Sequence, residues 1–208
     1  MKKLFILAGL FLLFTAGFVY AKSDKFVMPS IKFNNAVYTL LYSAKSKETG
    51  GYINEYYKSN QTYASWTELI GVHHYPTAYY PIEHAKAFAE YLQNGGIVVG
   101  AETDEENNMA LLYFVVADKS KLPIIIEFNV FKYIKSPVCG TVGLQYAKRY
   151  RLNSPLEIEK TQKVIAKNGL KYIKKVNRFE VPDVVTLDVD NGKYSLKEGF
   201  IKNLENLD

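Results

Sequence analysis

The chain has 208 residues, with 26 Lys and Arg against 21 Asp and Glu, and its formal net charge at pH 7 is +5. The basic residues are spread among the acidic ones, which argues against a nucleic-acid-binding surface. A single cysteine excludes a disulfide within the chain. A chain of this size buries roughly 70% of its unfolded surface, so it needs no disulfide or metal to fold.

The first 21 residues have the three parts of a secretory signal peptide. Lys2 and Lys3 give a positive start, an apolar run covers residues 4–18, and a small residue, Ala21, ends the segment. The run is shorter than the roughly 20 residues that a membrane-spanning helix needs. No cysteine follows it, so we expect no lipid anchor. These features predict cleavage after Ala21 and a soluble periplasmic or secreted protein without a membrane segment.

Residues 22–208 are expected to form a single α+β domain. Strands are predicted at 36–44, 52–57 and 66–75, because these segments are rich in β-forming residues and are separated by polar or glycine-containing turns. Together they give a three-stranded meander. A short lead-in at 26–33 precedes it, and a proline there disfavours helix.

The first predicted helix covers residues 82–92, where apolar side chains recur at helical spacing. Pro81 suits the first helical position, and Gly95 and Gly96 suit the end. Further strands are predicted after this helix, at 97–102, 109–117, 123–135 and 141–151.

A capping box opens the second predicted helix, with Ser154 at the cap and Glu157 three residues later. The helix is expected to run to about Phe179. Asn168 and Gly169 interrupt its pattern, but the apolar spacing continues in phase beyond the glycine. One long helix is therefore preferred to two short ones.

The end of the chain is less regular. A last strand is predicted at 184–188, Asn191 and Gly192 suit a tight hairpin, and a loosely packed tail is expected from about residue 190. The complete order is β-β-β-α-β-β-β-β-α. This order predicts an α+β fold with a predominantly antiparallel sheet and two amphipathic helices packed against it.

The histidines and the cysteine are the candidate metal-binding or catalytic residues. His73 and His74 are neighbours on a predicted strand and point to opposite faces, so at most one of them meets His84. We therefore expect no metal site and no cofactor. Cys139 has apolar neighbours and is expected to be buried. A hydrolase with a site near His73, His74 and Cys139 is kept as an alternative hypothesis.

Aromatic residues are concentrated between residues 52 and 80. This aromatic band comprises Tyr52, Tyr56, Tyr57, Tyr63, Trp66, Tyr75, Tyr79 and Tyr80. Tyrosine and tryptophan combine an apolar ring with a polar edge, which suits a recognition surface, although it also suits a core and a covered sheet edge. The ligand- or partner-binding residues that we predict are Tyr56, Tyr57, Tyr63, Trp66 and His74.

Arg149 and Arg151 lie on one face of a predicted strand, and Glu127 lies on the strand before it. A cross-strand ion pair is the expected arrangement. Capture of an anionic ligand is the second interpretation of these residues.

Short motifs connect the chain with known sequences. An Asn-Glu-Tyr strand at 54–56 is followed by a Trp-led strand at 66–70, and a Tyr-Ala-Lys-Arg-Tyr strand at 146–150 precedes the long helix. In these motifs the chain resembles a loosely defined set of uncharacterised bacterial exported proteins. The resemblance implies the same order of elements and no particular activity.

The sequence thus favours an exported, non-enzymatic domain that binds a ligand or partner, such as an envelope protein, a host protein or a carbohydrate. A structural component of an exported assembly is a further alternative, and it would present a large flat apolar patch.

Overall fold

The structure is a computed structural model that describes residues 29–46 and 48–185, together with the backbone of 187–190 and 193–196. Its main sheet comprises β1 (Ser30–Phe33), β2 (Ala36–Lys45), β3 (Tyr52–Lys58), β4 (Glu68–Tyr75), β5 (Val99–Asp104), β6 (Met109–Asp118), β7 (Ile124–Lys135) and β8 (Thr141–Leu152). The strands lie in the order β1-β2-β3-β4-β8-β7-β6-β5, and every neighbouring pair is antiparallel. With helices α1 (Pro81–Asn94) and α2 (Ile158–Arg178), this confirms the predicted α+β fold.

The beginning of the sheet differs from the prediction in two places. Residues 30–33 form strand β1 instead of an irregular lead-in, because Asn34 and Asn35 adopt φ values of 51° and 62°. Two consecutive residues with positive φ make the tight turn that joins hairpin strands, and asparagine adopts this conformation more readily than most residues. The third predicted strand begins at Glu68, so Trp66 belongs to the preceding loop.

Helix α1 confirms the first predicted helix. Pro81 occupies its first turn, and the chain turns away at Gly96, whose φ of 80° lies in the left-handed region. Ile82, Ala85 and Leu92 are buried, and the helix packs mainly against β5, β6 and β7.

Helix α2 confirms the second predicted helix as one continuous element. The Ser154 hydroxyl accepts a hydrogen bond of 3.3 Å from the Leu156 amide in the turn that precedes the helix. The helix continues through Gly169, which faces the sheet; a Cβ there would lie 3.5 Å from the Phe128 ring. The buried side chains of this helix are Thr161, Ile165, Ile173 and Val176.

The two helices cover opposite faces of the sheet. Strand β7 shows this best, because Phe128 and Val130 belong to the core that includes α2, whereas Phe131 and Tyr133 belong to the core that includes α1. Since α1 packs on β5–β7, the same face of β2 is left open, and Val37 there is 50% exposed. A loop at residues 59–67 lies over the neighbouring part of that face.

The segment after α2 is tied to strand β3. The buried Asn54 side chain donates through Nδ2 to the Val185 carbonyl at 2.9 Å and accepts through Oδ1 from the Val185 amide at 2.8 Å. It thus pairs with both backbone groups of Val185, as a neighbouring strand would. The adjacent Val184 is buried in the core under α2. We call this contact the Asn54 clamp.

A two-stranded antiparallel hairpin follows, made of β9 (Leu187–Asp190) and β10 (Lys193–Leu196). The last predicted strand, at 184–188, therefore begins later than expected. Asn191 and Gly192, the tail after residue 196 and the predicted leader at 1–21 lie outside the described residues. Neither described helix combines the length and the apolar composition needed to cross a membrane.

Candidate functional site

The aromatic band is divided between the core and the surface. Tyr56, Tyr57 and Trp66 are at most 4% exposed, Tyr63 is 59% exposed, and His74 is half-buried. Tyr56 and Tyr57 are neighbours on β3, so Tyr56 joins the core under α2 while Tyr57 packs with Trp66 on the other face. The band is therefore not one continuous surface.

His73 and His74 face opposite sides of β4, as expected. His73 is half-buried beside α1, with its Nε2 2.9 Å from Gln145 Oε1, and burial lowers its pKa to about 4. His84 of α1 packs on Tyr75, the residue that also stacks on His73. Within the described ranges, no three His, Cys, Asp or Glu side chains are close enough to hold a metal ion.

Cys139 is exposed, so the prediction of a buried cysteine is wrong. It lies in the turn between β7 and β8, where its apolar neighbours Pro137 and Val138 are exposed as well. His74 Nε2 is 2.9 Å from the Cys139 carbonyl oxygen and 3.8 Å from its Sγ. Because a carbonyl oxygen can only accept, this nitrogen must carry a proton and cannot also serve as a base for the thiol. His73, on the other face, does not join them.

The loop at residues 59–67 is anchored to the sheet. Arg151 of β8 donates to the carbonyl oxygens of Ala64 and Trp66 at 2.6 and 2.8 Å. The loop also closes on itself through side-chain hydrogen bonds between its two ends. These contacts hold the segment that carries the exposed Tyr63.

Trp66 of this loop lies against an ion pair. The Arg149 guanidinium carbon is 3.6 Å from the centroid of the Trp66 ring, and Arg149 Nη2 is 2.7 Å from Glu127 Oε1. The side chains of Arg149 and Glu127 are 20% and 21% exposed. Since the two residues are direct partners across β7 and β8, the predicted cross-strand ion pair is confirmed.

Glu55 of β3 lies near this ion pair. The Tyr57 hydroxyl donates a hydrogen bond to the half-buried Glu55 carboxylate. Burial is the largest influence on this group and raises the pKa of its carboxyl; Tyr57 and Arg149 counteract part of the rise, and Glu127 adds to it. The ionised Glu55 carboxylate has therefore lost more stabilisation by water than its protein partners restore.

Two further tyrosines form the solvent side of the site. Tyr42 of β2 is directly opposite Glu55 in the sheet and is 38% exposed, and Tyr63 extends from the loop. Burial, the Glu55 charge and Tyr63 raise the pKa of Tyr42, in that order, so the three groups are close together. We call Glu55, Tyr57, Tyr42, Tyr63 and Arg149 the Glu55 patch.

A second charged cluster lies on the opposite face. Glu68 accepts from the Tyr38 hydroxyl at 2.8 Å and contacts Lys58 and Lys148 at 2.6 and 3.0 Å. Lys148 also donates to the Tyr172 hydroxyl of α2 at 3.1 Å. Burial alone raises the pKa of Glu68, but its lysine and tyrosine hydrogen bonds outweigh burial and lower it. Both carboxylate oxygens of Glu68 are bonded. Through the contact between Lys148 and Tyr172, this cluster joins the strands to helix α2.

Sequence analysis did not identify Glu55 or Tyr42 as site residues. The alternation of β3 carries a signal for Glu55, because it places Glu55 on the same face as Tyr57. Strand alternation alone does not predict that Tyr42 lies opposite Glu55. The register between β2 and β3 shifts between Leu40 and Tyr42, and such a bulge changes which residues face each other.

Comparisons with known proteins give a family and nothing more specific. No curated protein and no solved structure is significantly similar to the chain. A family model matches residues 26–186, which is more than half of the chain. The matched range includes all eight strands of the main sheet, both helices and the Glu55 patch. The chain therefore belongs to this uncharacterised protein family.

Proposed function

We propose that the protein is an exported, non-enzymatic domain that binds a carbohydrate at the Glu55 patch. Export is supported by the signal-peptide pattern of residues 1–21. Binding is supported by one observation above all: burial raises the pKa of the Glu55 carboxyl, the partly exposed Tyr42 lies directly opposite Glu55 in the sheet, and Tyr63 is close enough to raise the pKa of Tyr42.

The chemistry of the patch matches that of a sugar ring. A sugar has C–H faces that pack on aromatic rings and hydroxyl edges that donate and accept hydrogen bonds. Tyr42 and Tyr63 offer ring surface, and the Glu55 carboxylate offers an acceptor that gains from a new donor. Arg149 supplies nearby N–H groups, although its ion pair with Glu127 already uses some of them.

The loop at 59–67 adds to the proposal because it is held before any ligand arrives. Arg151 fixes two of its carbonyl groups, and Trp66 is packed under Arg149. A loop that is already ordered loses less conformational entropy on binding. In this proposal Trp66 acts as a support beneath the site and Tyr63 as the residue that contacts the ligand.

The test measures the binding of soluble glycan-strand fragments of peptidoglycan by NMR titration. Chemical shifts of the Tyr42 and Tyr63 rings report on the patch itself. We expect Tyr63→Ala to weaken binding about fivefold, since one aromatic contact contributes on the order of 1 kcal/mol. Glu55→Gln, which keeps the shape but removes the charge, is expected to weaken binding by a similar factor.

The matched control is Tyr79→Ala. Tyr79 is 64% exposed but follows the other end of β4, away from the loop at 59–67. Equal losses in Tyr79→Ala and Tyr63→Ala would contradict the proposal, as would the absence of any glycan binding. Chemical-shift changes at Tyr63 with an envelope protein, and none with glycan fragments, would indicate that the ligand is a protein and not a carbohydrate.

The mass of the protein isolated from cells tests export, because an intact Met1 would contradict it.

A further inference from the structure

We infer that the outward face of helix α2 docks on an anionic phospholipid surface. Its exposed basic residues form a single row along the helix: Lys160, Lys163, Lys167, Lys171, Lys174 and Arg178. We call this row the basic stripe. The inference is independent of the Glu55 patch, and it departs from the sequence-based expectation of no membrane contact after removal of the leader.

The stripe is straight and faces away from the protein. Its members follow one another at steps of three or four residues, which keeps them on one side of an α-helix. The buried residues of α2, such as Ile165 and Val176, lie on the opposite side. From Lys160 to Arg178 the stripe is about 27 Å long at 1.5 Å per residue.

Little acidic charge balances the stripe. Within the described part of the chain, Lys163 pairs with Glu159 at 2.6 Å, and no other member forms an ion pair. Glu159 is also the last acidic residue in the helix, which ends at Arg178. Among the described residues, little therefore neutralises the positive charge of the stripe.

The stability of the helix does not explain this pattern. Consecutive members of the stripe are like-charge neighbours at i,i+3 or i,i+4, and such pairs destabilise a helix. Basic residues are favourable near the C-terminus of a helix, where Arg178 lies, but unfavourable in the first turn, where Lys160 lies. A helix that only needed solubility would mix both signs along its outer face.

Two features favour a lipid surface over a nucleic acid. Five of the six stripe residues are lysine, a point charge that suits a diffuse anionic surface, whereas recognition of base edges favours the planar, bidentate guanidinium of arginine. Leu170 beside the stripe is 65% exposed and offers apolar surface to the membrane interface. Leu170, Lys171, Lys174, Lys175 and Arg178 also surround an open depression of about 380 Å³.

The test is co-sedimentation of the naturally processed protein with two kinds of vesicle. One contains phosphatidylglycerol in phosphatidylcholine, and the other contains phosphatidylcholine alone. We expect binding to the anionic vesicles only, and loss of that binding as salt is added. Replacing Lys163, Lys167, Lys171 and Lys174 by Gln is expected to weaken binding at least about 100-fold, given the contribution of each basic residue near such a surface.

The matched control removes the same charge elsewhere. Replacing Lys32, Lys119, Lys121 and Lys135 by Gln changes exposed lysines outside α2, and we expect less than about a threefold effect, because these residues are not part of the stripe. Equal losses in both variants would overturn the inference, and so would binding to neutral vesicles. Tighter binding to duplex DNA than to anionic vesicles at the same salt would overturn it in favour of a nucleic acid. Circular dichroism of both variants checks that α2 remains folded.

Discussion

Two glutamates illustrate how neighbours decide the behaviour of a carboxyl group in this sheet. Glu55 is half-buried with one tyrosine hydrogen bond, and burial raises its pKa. Glu68 is also withdrawn from water but is bonded by two lysines and a tyrosine, and its pKa is lowered. The two groups therefore contribute to stability with opposite dependence on pH.

Variants Glu55→Gln and Glu68→Gln should separate these contributions. As pH rises through the ordinary range of glutamate and up to the raised pKa of Glu55, ionisation destabilises the folded wild type, so Glu55→Gln gains stability relative to it. Glu68 behaves in the opposite way. Its charge stabilises the fold above its ordinary pKa, and this stabilisation is lost as pH falls through the lowered pKa. Glu68→Gln is therefore most destabilised near neutral pH.

Urea denaturation of both variants between pH 3 and pH 7 measures this difference. The contribution of each glutamate to the free energy of unfolding is about 1.4 kcal/mol for each tenfold difference in its acid dissociation constant between the unfolded and folded states. Parallel pH profiles of the two variants would show that the environments of Glu55 and Glu68 do not differ as described.

For single residues, the sequence predicts which side chains form a pair better than it predicts how exposed a side chain is. The partnership of Glu127 and Arg149 follows from strand alternation and the order of β7 and β8. The exposure of Cys139 does not, because Pro137 and Val138 beside it look like core residues but lie in a turn. A turn places apolar residues outside the sheet whatever their hydrophobicity.

At the scale of the secondary-structure elements, the turn between β7 and β8 requires a glycine. Gly140 has a φ of 69°, and a Cβ there would lie 2.1 Å from the Tyr75 carbonyl oxygen. Gly96 after α1 has a similar φ of 80° but nothing within 4 Å of that position. The two glycines thus share a backbone conformation and differ in the available space.

Alanine at the two positions should therefore have different effects. We expect Gly96→Ala to cost about 1 kcal/mol for the left-handed conformation alone. Gly140→Ala adds a clash with backbone atoms and should cost more than about 3 kcal/mol. Chemical denaturation of both variants measures this, and equal costs would mean that the turn moves freely enough to admit a side chain.

The sequence predicted the elements well where local signals agree. Pro81 and the glycines after Asn94 bound α1, and helical periodicity carries α2 through Gly169. Strand β1 was missed because its turn is made by two asparagines, which look like an irregular boundary. The basic stripe was missed for another reason: its lysines are spread along the sequence, and only the helix gathers them on one face.

For the whole molecule, the Asn54 clamp holds together parts that are far apart in the chain. Asn54→Ala would leave the Val185 amide and carbonyl, and the Ser43 hydroxyl, without this partner. We expect a loss of about 2–4 kcal/mol in the free energy of unfolding. Ser43→Ala removes one of these hydrogen bonds and should cost about 1 kcal/mol.

Urea denaturation gives both costs, and hydrogen exchange at the Val185 amide shows whether the segment has been released. Normal exchange protection of that amide in Asn54→Ala would contradict this role of the clamp.

The clamp also has a consequence for biosynthesis. It joins two residues 131 positions apart, so Asn54 is made long before its partner Val185 emerges from the ribosome. Strands β1–β4 can pair with one another in the meantime, but β4 lacks its central neighbour β8 until late in translation. We therefore expect the nascent chain to expose unpaired strand edges until β8 has been made, and to depend during that interval on chaperones that shield such edges.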